Sequence, residues 1–300
     1  MKIFSGSSNK PLAESIAKHL NLPLSPVEIF IFPDGERRIQ LQESVLDEDV
    51  VIVQPTTPPT DTHYFELFLL ADAAKRSGAK SVTAVVPYLG YQRQDHIFRD
   101  GEAVSLNVIV NTMQSVKIDK VISFDLHTIK IPEVFSIPMI HLSALDLFSQ
   151  EIKKQGWDGL DTVLVSPDMG GIRRIELISQ MLRDMPYATI DKNRDVTTGK
   201  IDMSGVTGEI THRALIVDDM ISSGETIAKA AQLLKERGAK EIYVFVTHPV
   251  FSADAPSILQ DSVVDKVYVT DSVLVPDEKR FSKLEVLSIA PMIAAELRSS

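Results

Sequence analysis

Ala214-Leu-Ile-Val-Asp218-Asp-Met-Ile-Ser222-Ser-Gly-Glu-Thr226 sets a short apolar run, two carboxylates and a hydroxyl-rich turn in immediate succession. Ala214–Val217 reads as a buried strand. Asp218 and Asp219 fall where that strand is expected to end. Beyond Thr226, Ile227, Ala230, Ala231 and Leu234 recur at helical spacing, and Gly238 supplies a stop. A strand, a tight polar turn and a helix N-terminus together make an anion site. The first backbone N–H groups of a helix have no internal partner, and the helix dipole favours negative charge there. Ser222, Ser223 and Thr226 add hydroxyl donors, and Gly224 lets the backbone approach closely. Two aspartates would repel a phosphate. They suit a sugar diol, whose hydroxyls donate to them, or a divalent cation. The stretch therefore reads as a sugar-phosphate site, with phosphate on the turn and the ribose diol on the acids. Without the acids it would read as an ordinary strand–helix turn with Ser222 or Ser223 as N-cap.

Working outward, strands and helices alternate along the chain. Apolar strand runs are read at Val50–Gln54, Ser81–Pro87, Val121–Asp125, Thr162–Ser166, Tyr187–Asp191, Ile242–Thr247 and Lys266–Val269. Helices are predicted near Pro11–Leu20, Tyr64–Arg76, Ala103–Gln114, Ile172–Arg183, Ile227–Arg237 and Pro291–Arg298. Thr56–Thr62, Tyr88–Gly101 and Lys192–Gly199 read as loops, the last as mobile. Gly78-Ala-Lys80 and Gly238-Ala-Lys240 each end a helix before an apolar strand, 160 residues apart, a weak internal repeat. The alternation predicts an α/β fold of two doubly wound parallel-sheet domains related by internal duplication. The domains are expected at 1–145 and 146–288, with the C-terminal helix (289–300) packing back on the first. In open α/β sheets ligands bind at the carboxyl ends of strands. Arg93, His127, Asp168, Asp218 and Asp219 all lie at such ends.

Composition narrows the function classes. The 300 residues carry a formal net charge of −10 with no basic block, which argues against nucleic acid as a partner. Acidity overall with local cations suits an enzyme that holds phosphates in a pocket. The chain has no cysteine, which fits a reducing cytoplasm and excludes thiol chemistry. Met1–Lys10 lacks the shape of a signal peptide, and no run nears 18 apolar residues, so no membrane span is expected.

Further polar clusters stand at the strand ends. Asp125-Leu-His127 closes one strand and Ser166-Pro-Asp168 another. A His and an Asp so placed could share a divalent cation carried by a nucleotide, since magnesium takes only one or two protein ligands beside phosphate oxygens. Arg93, Gln94 and Asp95 lie on a loop with Tyr88 and Tyr91, where Arg93 can grip phosphate or stack on a base. Lys192 and Arg194 sit where a cation-bearing loop could close over a polyphosphate.

The Asp218–Thr226 loop resembles the phosphoribosyl-pyrophosphate loop of type I phosphoribosyltransferases. Seven motifs in order widen the resemblance to ribose-phosphate pyrophosphokinases, also called phosphoribosyl-pyrophosphate synthetases. They are Phe32-Pro-Asp-Gly-Glu36, Pro87-Tyr88 with Tyr91-Gln-Arg-Gln-Asp95, Asp125-Leu-His127, Ser166-Pro-Asp-Met-Gly-Gly171, Ile190-Asp-Lys-Asn-Arg194, the Asp218–Thr226 loop, and Thr247-His-Pro249. The resemblance implies a phosphoribosyltransferase-type fold with ATP and ribose 5-phosphate as substrates. It implies Mg2+ as cofactor, transfer of an intact diphosphoryl group to the anomeric hydroxyl, and release of AMP. It implies that Phe32, Asp34, Gly35 and Glu36 hold adenine from a neighbouring subunit, with Arg93, Gln94 and Asp95 also on ATP. His127 and Asp168 would hold Mg-ATP, and Lys192 and Arg194 would neutralise charge on the transferred group. Asp218 and Asp219 would hold the ribose hydroxyls; Ser222, Ser223, Gly224, Glu225 and Thr226 would hold the 5-phosphate, with Arg194 alongside. Adenine contacts across subunits imply a homo-oligomer, at least a dimer and up to a hexamer. The chain departs from many bacterial members in the thinner basic run after Asp95, His96-Ile-Phe-Arg-Asp-Gly-Glu102, which looks closer to archaeal members. Ser222 stands where many members have Asp, and Glu225 where many have Gly. Two rival readings are a phosphoribosyltransferase that consumes phosphoribosyl pyrophosphate and a non-catalytic homologue that assembles with active subunits.

Overall fold

The computed structural model describes residues 1–97, 99–194 and 201–299, and the side chains of 192–194 and 201–204 lie outside the description. The chain divides into two compact units. Unit 1 comprises residues 1–142, 272–274 and 288–300, and unit 2 comprises 143–271 and 275–287.

Unit 1 opens with β1 (Lys2–Ser5) and α1 (Lys10–Leu20), whose N-cap Asn9 accepts a hydrogen bond from the Leu12 N–H. An antiparallel hairpin of β2 (Val27–Ile31) and β3 (Arg37–Leu41) forms a small sheet of its own. Then follow β4 (Asp49–Val53), α2 (Thr60–Arg76), β5 (Ser81–Val85), α3 (Ser105–Ser115), β6 (Lys120–Phe124) and β7 (Met139–Leu142). The main sheet is parallel throughout, ordered β1-β4-β5-β6-β7.

Unit 2 runs through the same series again. It starts with α4 (Leu145–Lys154), β8 (Thr162–Ser166), α5 (Ile172–Met181) and a hairpin, β9 (Tyr187–Arg194) with β10 (Ile201–Thr207). It continues with β11 (Arg213–Ile221), α6 (Glu225–Glu236), β12 (Glu241–Pro249), α7 (Ala255–Asp261), β13 (Lys266–Thr270) and β14 (Leu284–Leu287). Its sheet is ordered β10-β9-β8-β11-β12-β13-β14, parallel except for the β9–β10 pair. Strand for strand, β1, the β2–β3 hairpin, β4, β5, β6 and β7 correspond to β8, the β9–β10 hairpin, β11, β12, β13 and β14. The Gly78 and Gly238 repeats end α2 and α6, which are counterparts, and both glycines adopt positive φ, +86° and +109°. The last helix, α8 (Ala290–Ser299), belongs to unit 1 and is tied to α1 by an Arg298 Nη2 hydrogen bond to the His19 carbonyl.

Strands buried on both faces of a parallel sheet are near-continuous apolar runs. That is why Thr162–Ser166 and Ala214–Val217 are wholly buried. Their side chains, with those of α6 and β12, form the unit 2 core. A separate core in unit 1 joins Phe4, Tyr64, Leu67, Leu70 and the β4–β6 strands.

Several boundaries differ from the sequence expectation. Helix α2 begins at Thr60, right after Pro59, so the Thr56–Thr62 loop is shorter than expected. The strand after Pro186 runs to Arg194 rather than stopping at Asp191, because β10 pairs with it through Arg194↔Ile201. Residues 195–200 of the expected loop lie outside the described residues. β11 continues through both aspartates to Ile221 rather than ending at Val217, because its pairing with β12 persists to Ile221↔Pro249.

Candidate active site

The sheet of unit 2 has its switch point between β8 and β11. From β8 the chain moves outward to β9, and from β11 it moves the other way to β12. β8 and β11 pair only as far as Val165↔Ile216. Beyond that pair β11 keeps one neighbour, β12, and so Asp218 and Asp219 stand past the end of β8. A crevice at the carboxyl ends of diverging strands is the usual ligand site of such sheets.

The turn after β8 is built around Asp168. Its carboxylate accepts the Gly171 N–H at 3.2 Å and its carbonyl accepts the Ser166 hydroxyl at 2.8 Å. A Cβ on Gly171 would lie 2.4 Å from Ser166 Oγ, so a larger residue there would displace the hydroxyl that holds the Asp168 carbonyl. Arg174, in the first turn of α5, reaches the acid pair. Its Nη1 lies 3.1 Å from Asp218 Oδ1 and its Nη2 lies 3.6 Å from Asp219 Oδ1. The Asp219 N–H also donates to Asp218 Oδ1, at 2.9 Å. All three side chains are mostly buried, at 15%, 14% and 8% exposure. Burial pushes the Asp218 carboxyl well above its ordinary value; the neighbouring Asp219 charge and Asp168 push the same way, while Arg174 opposes them. Arg174 is the site residue that sequence reading missed. Its only signal is a cation one turn beyond the Gly170-Gly171 pair.

The polar turn follows directly. Gly224, at φ +79°, occupies the N-cap of α6 and offers no side-chain cap, so neither Ser222 nor Ser223 takes that place. Ser222 instead faces the turn after β12. Its hydroxyl lies 3.0 Å from the Ser252 hydroxyl, and its carbonyl accepts the Ser252 N–H at 3.0 Å. That turn is held in place by Lys279, which donates to the Phe251 carbonyl at 2.8 Å. Glu225 is exposed and pairs with Lys229 one helical turn on, at 3.5 Å. Ser223 is exposed, and Thr226 is half-buried in the first turn of α6. The backbone of Lys192 and Arg194 lies on β9, beyond the Thr189↔Ser166 pair that ends its contact with β8. The expected roles of those two side chains lie outside the described residues.

Unit 1 positions the other candidates on its own strand ends. Phe32-Pro-Asp-Gly-Glu36 is the tip of the β2–β3 hairpin, closed by Phe32 N–H to Glu36 carbonyl at 2.8 Å and by an Asp34 Oδ1 acceptor for the Glu36 N–H at 3.1 Å. Every residue of the tip is exposed, as are Phe30 and Ile31 beside it. Arg37, at the base of the hairpin, pairs with the buried Glu66 of α2 at 3.2 Å. Arg93 and Gln94 are exposed on the loop after β5, and the Gln94 side-chain oxygen accepts the Ser105 hydroxyl at the start of α3. His127 is exposed on the turn after β6. Asp95 links this loop to that turn by accepting the Thr128 hydroxyl at 3.2 Å. Burial acts to raise the Asp95 carboxyl, but hydrogen bonds from His96 and Thr128 outweigh it and hold the group below its ordinary value.

Residues 1–116 match the N-terminal domain of ribose phosphate pyrophosphokinase, and residues 172–299 match the phosphoribosyl synthetase-associated domain. A ribose-phosphate pyrophosphokinase of Gloeobacter violaceus is 38% identical over 98% of this chain and 88% of its own. Ribose-phosphate pyrophosphokinase 2, chloroplastic, of Oryza sativa is 40% identical over 98% of this chain and 73% of its own. The crystal structure of phosphoribosylpyrophosphate synthetase from Mycobacterium smegmatis superposes with a TM-score of 0.91 at 34% identity, covering 99% of this chain and 97% of that one. With relatives so similar along nearly its whole length, the chain belongs to the ribose-phosphate pyrophosphokinase family.

Proposed function

We propose that the chain transfers the diphosphoryl group of ATP to the C1 hydroxyl of ribose 5-phosphate, giving 5-phosphoribosyl 1-pyrophosphate and AMP. The observation that carries this reading is the buried acid pair at the end of β11, held by Arg174 and followed at once by the Ser222–Thr226 turn. Carboxylates accept hydrogen bonds from a diol, and helix-start N–H groups bind a phosphate. Asp218 and Asp219 take the ribose hydroxyls, and Ser222, Ser223, Gly224 and Thr226 take the 5-phosphate. The exposed Glu225 side chain, engaged with Lys229, leaves that turn to the backbone donors.

In the reaction the C1 oxygen attacks the β-phosphorus, the bridging oxygen between α- and β-phosphorus leaves with AMP, and the hydroxyl proton is lost. Little covalent work falls to protein groups, so positioning and charge neutralisation dominate. The Phe32–Glu36 hairpin tip binds adenine, and its exposure suits contact with a second copy of the chain, hence a homo-oligomer. Arg93, Gln94 and Asp95 contact the nucleotide as well. His127 and Asp168 each contact the metal–nucleotide. Lys192 and Arg194 neutralise charge on the transferred group. The donor set fits magnesium: the Asp168 carboxylate in the turn after β8 and the exposed His127 are a small set, and magnesium on a polyphosphate takes only one or two protein ligands. When bound with the nucleotide, magnesium offsets the charge of the β- and γ-phosphates. No helix among the described residues is long and apolar enough to cross a membrane. The net charge of −10 and the absence of cysteine support a cytoplasmic enzyme that works on small anions rather than nucleic acid.

Incubation with ATP and ribose 5-phosphate, with and without Mg2+, tests the reaction. AMP formed in step with phosphoribosyl pyrophosphate, only when Mg2+ and the sugar are both present, is the expected result. Diphosphate release that requires a nucleobase would establish the transferase reading instead. The Ser222–Ser252 contact allows a finer test. Ser252→Ala removes one hydroxyl contact worth about 0.5–1.5 kcal/mol, so KM for ribose 5-phosphate should rise about 2- to 12-fold with kcat unchanged. An unmoved KM would show that the Ser222 hydroxyl orientation is irrelevant to the phosphate.

A further inference from the structure

Three consecutive backbone N–H groups follow β6, and each is held by a different partner. The Asp125 N–H donates to the Leu142 carbonyl at 3.0 Å, the Leu126 N–H to His141 Nε2 at 3.1 Å, and the His127 N–H to Gln92 Oε1 at 2.8 Å. The turn needs such restraint. Asp125 sits at φ +30°, a backbone conformation that L-residues rarely adopt, and it is buried. The third restraint is unusual in its chemistry. Gln92 is 1% exposed, in the loop after β5. Its oxygen must face the His127 N–H, because only the oxygen accepts. That orientation leaves Nε2 buried with no hydrogen-bond partner. An unpaired buried donor costs stability, so the amide is explained by the acceptor it offers the His127 N–H, which an apolar side chain of the same size would leave unpaired.

We infer that Gln92 is a positioning residue for His127: its side-chain oxygen sets where the exposed imidazole is presented to the metal–nucleotide. The inference rests on the assignment of His127 to Mg-ATP above. Asp95 reinforces it from the same loop by holding Thr128, the next residue of the turn. The loop after β5 thus grips the histidine turn at two adjacent residues. The Gln92 contact involves none of Arg93, Gln94 and Asp95, the loop residues assigned to ATP.

The test compares Gln92→Met, which keeps the volume and removes the acceptor, with Gln92→Glu, which keeps an acceptor oxygen. His127→Ala serves as reference. Loss of a residue that orients a ligand typically costs 10- to 100-fold, so Gln92→Met should raise KM for Mg-ATP by about 10-fold or more. KM for ribose 5-phosphate should be retained. Hydrogen exchange at the His127 amide should quicken in Gln92→Met and stay slow in Gln92→Glu, which should also recover much of the Mg-ATP affinity. Equal losses for both substrates together with a lowered melting temperature would reduce Gln92 to a structural residue and overturn the inference. An unchanged Mg-ATP KM in Gln92→Met beside a raised one in His127→Ala would overturn the inference alone. An unchanged KM in both would sink the assignment of His127, and the inference with it.

Discussion

Replacing Arg174 with leucine should destabilise unit 2 by about 3–5 kcal/mol near neutral pH, the usual consequence of stranding a buried charge without its partner. Arg174 lies within 3.1 Å and 3.6 Å of two carboxylates that are themselves mostly buried, so its loss leaves two like charges facing each other out of water. The effect has a definite pH dependence. Asp218 already holds its proton more tightly than an ordinary aspartate, first because it is buried and next because Asp219 is beside it, and Arg174 counteracts both. A carboxyl raised in the folded state costs folding free energy above its unfolded value, near 3.8, and that cost grows with pH until the folded group ionises as well. Without Arg174 the group is raised further. The variant should therefore fall increasingly below the parent as pH rises past the parent's own raised Asp218 value, and converge with it where Asp218 is protonated in both. The chain has a single tryptophan, Trp157, which lies in unit 2 and stacks on Tyr243 at 3.9 Å between ring centroids. Urea melts followed by its fluorescence report on this unit. A deficit independent of pH would mean that Arg174 contributes through packing rather than charge. Asp218→Asn should behave in the opposite sense, raising stability at pH 8 while weakening ribose 5-phosphate binding.

Lys192→Ala should lower kcat about 10²- to 10³-fold, or about 3–4 kcal/mol of barrier, while KM for ATP stays within about threefold. The reasoning is electrostatic. Diphosphoryl transfer moves charge onto oxygens that no side chain need bond covalently, so a cation that acts in the transition state changes turnover rather than ground-state binding. Lys192 lies on β9 and is in register with Met203 of β10, a paired strand rather than a free loop. Equal losses in turnover and ATP affinity would assign Lys192 to nucleotide binding instead.

How much could be read from the sequence depended on the kind of element. Val50–Val53, Thr162–Ser166 and Ile242–Thr247 are strands flanked by neighbours on both sides, so their apolar runs announce them. β3 (Arg-Arg-Ile-Gln-Leu) and β14 (Leu-Glu-Val-Leu) carry mixed polar and apolar residues, and no such run marks them. Lys192–Arg194 looks like a loop because its residues are polar and poor strand formers. It becomes strand through β10, a pairing that no local pattern shows. The same holds at Asp218 and Asp219, which extend β11 because β12 continues beside them. The acid pair and the turn after it were legible as a sugar-phosphate site because the chemistry is contiguous in sequence. Arg174 was not, since it lies 44 residues from Asp218 and only the fold joins them. Gln92 was not legible for a like reason: its partner is 35 residues on, and its neighbours Arg93 and Gln94 carry the more conspicuous signal.

The most direct measurement follows the β-phosphorus. ATP labelled with 32P at the β position, incubated with ribose 5-phosphate and Mg2+, should deliver its label to the diphosphate of phosphoribosyl pyrophosphate, with unlabelled AMP as the only nucleotide product. Label recovered in ADP, or unreacted ATP beside diphosphate released from phosphoribosyl pyrophosphate by a nucleobase, would contradict transfer of an intact diphosphoryl group.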